Sequence, residues 1–207
     1  NRLVVWDPHT PQVHGFYGSV PIDALSPLAL FVDALSRFRD RDDVIVVAPD
    51  AGAAKYVTRF ARALNVSSAV ASKYRPEPEK AVISEIMGDF EGKRVALVLD
   101  DMVATGGTIE ATVIKLIEDK GIEEVCLGIS HNLCSQRAFD RLSDLHAHYH
   151  LQEMVVTNSI PQTEDFRELP FLIVRDLSDL LARIINRIHH NRPVDGIMAK
   201  PLVAKEG

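Results

Sequence analysis

Cysteine is scarce in this chain: its 207 residues hold two, Cys126 and Cys134. They form no C-x-x-C or similar metal spacing, which excludes a cysteine-based metal cluster and points to reduced thiols. Positive charge is also short, with 23 Lys and Arg against 29 Asp and Glu, a net charge of −6. That balance argues against a nucleic-acid partner, whose binding face is normally basic. It leaves room for small anions, because a phosphate pocket needs only local amides and one or two cations. No apolar run approaches the roughly 20 residues that cross a bilayer, and no basic-then-apolar leader opens the chain. These absences lead us to expect a cytoplasmic protein with no membrane and no nucleic acid among its partners. Internal repeats and low-complexity segments are lacking too.

What is present is ordinary globular material. Hydrophobic residues make up 46% and charged residues 25%, enough for a real core. Short apolar runs predict strands over residues 3–6, 44–48, 68–71, 95–99, 124–129, 153–156 and 171–174. Longer amphipathic stretches predict helices over 24–37, 53–64, 108–120, 136–142 and 178–190. The alternation predicts an α/β fold, a mainly parallel sheet flanked by helices. Val/Ile/Leu-rich runs suit strands buried on both faces. In such sheets ligands sit beyond the carboxyl ends of the strands, so the loops after strands carry the functional information. Pro76-Glu77-Pro78-Glu79-Lys80 opposes both helix and strand and reads as a mobile excursion. The abrupt start on an apolar strand leads us to expect residues 1–20 to be the tail of a missing N-terminal domain. Residues 21–190 then form the main domain and 191–207 a C-terminal tail.

One loop stands out. The strand 95–99 runs into Asp100 and Asp101, and then into Met102-Val103-Ala104-Thr105-Gly106-Gly107-Thr108. Glycines 106 and 107 let the backbone approach an anion closely. The following helix, expected to be capped by Thr108, aims its amides and its dipole at that anion. The hydroxyls of Thr105 and Thr108 add donors. Two carboxylates upstream repel a phosphate but can accept hydrogen bonds from vicinal hydroxyls. The joint reading is a phosphorylated sugar, with its phosphate on the glycine turn and its hydroxyls on Asp100 and Asp101. No Lys follows the glycines, so this is not a Walker loop.

These residues resemble the phosphoribosyl-binding motif of the type I phosphoribosyltransferase superfamily. The rest of the chain is similar to one branch of it, the ribose-phosphate pyrophosphokinases, in the same order. The segment from Asp7-Pro8-His9 to Gly15-Phe16-Tyr17 resembles that family's metal-binding stretch, which implies His9 as a magnesium ligand. Asp50, Ala51, Gly52 and Ala53 resemble its pyrophosphate loop, which implies ATP phosphates on that loop and Asp50 near magnesium. Lys73 and Arg75 resemble the cationic pair of its catalytic loop; phosphoryl transfer depends chiefly on positioning and charge neutralisation. Ser130-His131-Asn132-Leu133-Cys134-Ser135 and Thr157-Asn158-Ser159 resemble further family segments. The resemblance implies a type I phosphoribosyltransferase-like fold, ribose 5-phosphate and ATP as substrates, Mg2+ as cofactor, and a homo-oligomer. Ala104 departs from the usual Asp and looks more like a purine phosphoribosyltransferase. Two alternatives stay open: a transferase that consumes phosphoribosyl pyrophosphate, favoured by Ala104 and the short chain, and a non-catalytic regulatory subunit, favoured by the missing N-terminal domain.

Overall fold

The computed structural model describes residues 2–77 and 80–194. Strand β1 (Leu3–Trp6) pairs in parallel with β2 (Ile22–Leu25), with a 3-10 turn over Pro11–Phe16 between them. Helix α1 (Leu28–Ala34), a 3-10 turn (Ser36–Phe38) and β3 (Val44–Ala48) follow. Then come α2 (Ala54–Leu64), β4 (Ser67–Glu77), β5 (Lys80–Met87), β6 (Val95–Val103) and α3 (Gly107–Lys120). The chain continues through β7 (Glu124–Asn132), α4 (Gln136–His148), β8 (Leu151–Thr157), α5 (Glu164–Arg167), β9 (Leu172–Arg175) and α6 (Ser178–His189).

Seven strands form the main sheet in the order β5-β4-β3-β6-β7-β8-β9. All its pairings are parallel except the antiparallel β4–β5 hairpin. The expected α/β architecture is thus the one found. β3 shows why its residues are apolar throughout. Val44, Val46 and Ala48 enter one core, with α1 and α2, while Ile45 and Val47 enter the other, with α3 and α4. A strand buried on both faces cannot alternate with polar residues. The helices obey their own period: Val57, Phe60, Ala61 and Leu64 make the buried stripe of α2. Phe60 is fully buried, and Phe60→Ala is expected to cost about 3–5 kcal/mol.

The strand order reverses between β3 and β6. The chain leaves β3 toward β4 on one side and leaves β6 toward β7 on the other. Loops at the carboxyl ends of those two central strands therefore diverge and open a crevice. That crevice holds the candidate site.

Several expectations are corrected. The helix expected over 24–37 is shorter, because Ala24 and Leu25 belong to β2 and the helix begins after Pro27. Proline disfavours helical geometry in the residue before it and suits a helix start itself. The excursion expected at residues 76–80 is not loop throughout: Pro76 and Glu77 end β4 and Lys80 begins β5. The ladder absorbs Pro76 through a register shift between Tyr74 and Glu77 beyond the reach of β3, where only two strands pair. Pro78 and Glu79 lie outside the described residues, as does the C-terminal tail from residue 195 onward. Strands β6 and β7 run to Val103 and Asn132, past their expected ends, because they keep pairing up to Val103 and Asn132. Asp100 and Asp101 therefore lie within a strand.

Candidate active site

The glycine turn is shaped from behind. Gly106 has φ +78°, a left-handed conformation that glycine adopts without strain. It, and not Thr108, caps α3, and as a glycine it brings no side-chain cap to the first amides of the helix. The first intrahelical bond runs from the Glu110 amide to the Gly106 carbonyl, leaving the amides before it available to an anion. Two carbonyls of the turn are tied back to α4. Ser135 donates its hydroxyl to the Ala104 carbonyl at 2.5 Å, and Arg141 donates to the Thr105 carbonyl at 2.8 Å. Arg141 is itself held by Glu110 at 2.9 Å. Residues 102–109 line a cavity of about 290 Å³ together with His9, Asp50, Lys73, Asp100 and Asp101.

A larger cavity of about 920 Å³ shares those last five residues. It extends over Asp7, Pro8, residues 50–53, Tyr56, residues 70–73 and Met87. Together they have the size of a site for a substrate-sized polar ligand.

Negative charge is concentrated here. Burial, reinforced by Asp101, pushes the Asp100 carboxyl up to about 7. Asp7 is pushed up to about 6, chiefly by burial, with Asp101 adding to the shift and the Ser130 hydrogen bond opposing it. His9 is exposed and its Nδ1 contacts the Asp101 carboxylate. That hydrogen bond and its charge hold the His9 imidazole above its usual range.

The loop after β3 closes on itself. Asp50 accepts from the amides of Gly52 at 2.9 Å and Ala53 at 3.2 Å. Those amides, expected to cradle pyrophosphate, point at the Asp50 carboxylate instead. The other Asp50 oxygen lies 3.5 Å from Lys73 Nζ, and the Lys73 side chain is only 13% exposed. Lys73 sits in β4 and lines both cavities. Arg75 lies on the same strand, and its side chain is outside the described residues.

Among the described residues no three His, Cys, Asp or Glu side chains gather closely enough to hold a metal ion alone. The donor chemistry still fits magnesium bound chiefly by a ligand's phosphate oxygens and water, with one or two carboxylates. Asp50, Asp100 and Asp101 line both cavities and supply the carboxylates for such a site.

The structure brings His9, Asp50, Lys73, Asp100, Asp101 and residues 104–108 around joined cavities. It also recruits residues to which the sequence reading gave no role. Asp7, Ser130 and His131 lay in quoted segments, but without a partner to reveal their use. Ser135 and Arg141 reach the turn from 31 and 36 residues away, which leaves no local signal. Both cysteines are free, as expected, and burial pushes the Cys126 thiol up to about 12.

A mainly parallel α/β domain with a glycine turn and paired acids at its strand-order reversal places the protein in the type I phosphoribosyltransferase-like fold class. Comparison with known proteins gives the family: the model of the phosphoribosyl synthetase-associated domain matches residues 72–198, and the chain belongs to that family. It is 32% identical over 197 residues to a ribose-phosphate pyrophosphokinase of Aquifex aeolicus, covering 95% of this chain and 60% of the relative. It is 33% identical over 196 residues to ribose-phosphate pyrophosphokinase 1 of Listeria innocua, covering 95% and 59%. The crystal structure of phosphoribosylpyrophosphate synthetase from Mycobacterium smegmatis superposes with a TM-score of 0.76 at 31% identity, over 92% of this chain and 59% of that one. The chain spans about 60% of the length of the curated relatives it matches. The type I phosphoribosyltransferase-like fold that the resemblance implied is the fold found.

Proposed function

We propose that this chain carries the catalytic site of a ribose-phosphate pyrophosphokinase. In that reaction the 1-hydroxyl of ribose 5-phosphate attacks the β-phosphorus of ATP. The pyrophosphoryl group moves to the sugar, giving phosphoribosyl pyrophosphate, and AMP leaves. The observation that carries the reading is the turn at residues 104–108. Its carbonyls are pulled back by Ser135 and Arg141 while its amides stay open, next to two carboxylates.

In this reading the amides of the turn and the hydroxyls of Thr105 and Thr108 hold the 5-phosphate. Asp100 and Asp101 accept hydrogen bonds from the ribose 2- and 3-hydroxyls and so orient the 1-hydroxyl. Lys73 shifts from Asp50 to the transferring phosphates, a modest change because the 3.5 Å pair is loose. Arg75 adds a second cation. His9 and Asp50 hold magnesium, which when bound neutralises the phosphate oxygens. Ala104 acts through its carbonyl, which Ser135 holds, so the missing carboxylate there does not alter the turn. The same proposal includes self-association into a homo-oligomer and a cytoplasmic setting. No helix among the described residues is long and apolar enough to cross a membrane.

A second reading, a non-catalytic subunit associated with a synthetase, is favoured by the Asp50 carboxylate that takes the Gly52 and Ala53 amides. One assay separates the two. The chain is given ATP, magnesium and ribose 5-phosphate, and AMP is measured. Release of AMP supports the pyrophosphokinase. Sugar-phosphate binding with no AMP supports the second reading.

A further inference from the structure

His9 does not stand on the main sheet. It follows β1, which pairs only with β2 among the described residues, whereas Asp100 and Asp101 lie on β6. Something must register the small sheet against the large one. The backbone at Asp7, two residues before His9, has φ +39°, uncommon for a residue with a Cβ. Such a conformation persists only where its surroundings impose it.

β7 supplies the grip. Ser130 donates its hydroxyl to the Asp7 carboxylate, and His131 donates from Nε2 to the Asp7 carbonyl at 3.0 Å. His131 Nδ1 lies 2.9 Å from the Ser159 hydroxyl, which also donates to the Ser130 carbonyl at 3.0 Å. Thr157 donates to the Ser130 carbonyl at 2.6 Å. Ser130 and Thr157 are fully buried, so the bond between them, at the inner end of this chain, is shielded from water. It gives a use to two segments, 130–131 and 157–159, that the catalytic reading leaves without one.

We propose that Ser130 and His131 are positioning residues that set His9 against Asp101 by locking the β1 loop onto the end of β7. Ser159 braces the His131 ring, and Thr157 together with Ser159 fixes the backbone that carries Ser130. The inference builds on the reaction proposed above, in which His9 serves the polyphosphate side of the site and the glycine turn serves the sugar phosphate. Misplacement by about 1 Å costs on the order of 10²-fold in rate where geometry is critical.

The test uses Ser130→Ala, His131→Ala and His131→Gln in the full chain. Glutamine can place an amide N–H near the lost Nε2–H. The first readout needs no activity: long-range 1H–15N spectra of the histidine rings, with His9 assigned by loss of its signal in His9→Asn. In the wild type and His131→Gln the His9 signal should carry the mark of its Asp101 contact. In Ser130→Ala and His131→Ala it should move to that of a free imidazole. The second readout is AMP release, expected to fall about tenfold or more in both alanine variants and to recover in His131→Gln. Affinity for ribose 5-phosphate should hold within about twofold. An unmoved His9 signal in both alanine variants overturns the inference. So does a fall of turnover and sugar affinity in step with Tm, without rescue by glutamine. If the wild type releases no AMP but the His9 signal responds as described, the reaction falls and the positioning role stands.

Discussion

Arg141 reaches back 36 residues to hold the carbonyl of Thr105 at 2.8 Å. The contact ties the Thr105 carbonyl to α4, and in the proposed function it keeps the turn in the shape that presents its amides to the sugar phosphate. Arg141→Met keeps much of the side-chain volume and removes the donor. The loss of a charged hydrogen bond of this kind is on the order of 1–2 kcal/mol at a partly exposed site. Ribose 5-phosphate affinity, measured by calorimetry, should fall roughly tenfold. An unchanged affinity would show that the turn holds its shape without α4.

The acids give a pH dependence with a definite sign. Asp100 is pushed up from 3.8 to about 7, chiefly by burial and then by Asp101. A raised carboxyl means that the folded state binds more protons than the unfolded state between those values. Stability must therefore fall as pH rises from about 4 to about 7, and the penalty is complete above that. Asp7, pushed up to about 6, acts in the same direction over a narrower window. Asp100→Asn should remove part of the penalty. In urea unfolding it should be more stable than the wild type at pH 8, on the order of 2 kcal/mol, and show little advantage at pH 4. The opposite ranking would contradict the assigned burial.

Asp101→Ala separates two roles of one side chain. It should weaken ribose 5-phosphate binding, because a diol acceptor is lost. It should also let the His9 imidazole fall back toward its ordinary range, because Asp101 is the chief cause of its rise. Histidine NMR titration and sugar binding on the same variant check both. Unchanged sugar affinity would remove Asp101 from the diol site.

Lys73→Ala should lower turnover by far more than it lowers sugar affinity, since Lys73 is assigned to the transferring phosphates. Separate measurement of kcat and of ribose 5-phosphate Kd decides it. The reverse pattern would reassign β4 to the sugar side of the cavity.

How much of this was legible in the sequence depended on how local each feature is. β1 and β3 were read to the residue, because every position in them is apolar. β2 was hidden, since Ile22-Asp23-Ala24-Leu25 merges with the apolar period of α1 and only Ser26-Pro27 separates them. β5 was missed because its identity comes from antiparallel pairing with β4 and not from its own pattern. The twin acids and the glycine turn were legible from composition and order alone. That Asp50 would close on the amides of Gly52 and Ala53, or that Asp7 would adopt a positive φ under Ser130 and His131, required the tertiary structure.

The most direct test is an NMR titration with ribose 5-phosphate that follows the backbone amides. The signals of Gly107, Thr108 and Ile109 should move far downfield and saturate together, with Asp101 responding in parallel. Saturation of some other surface while those three amides stay still would contradict a pentose phosphate held at this turn.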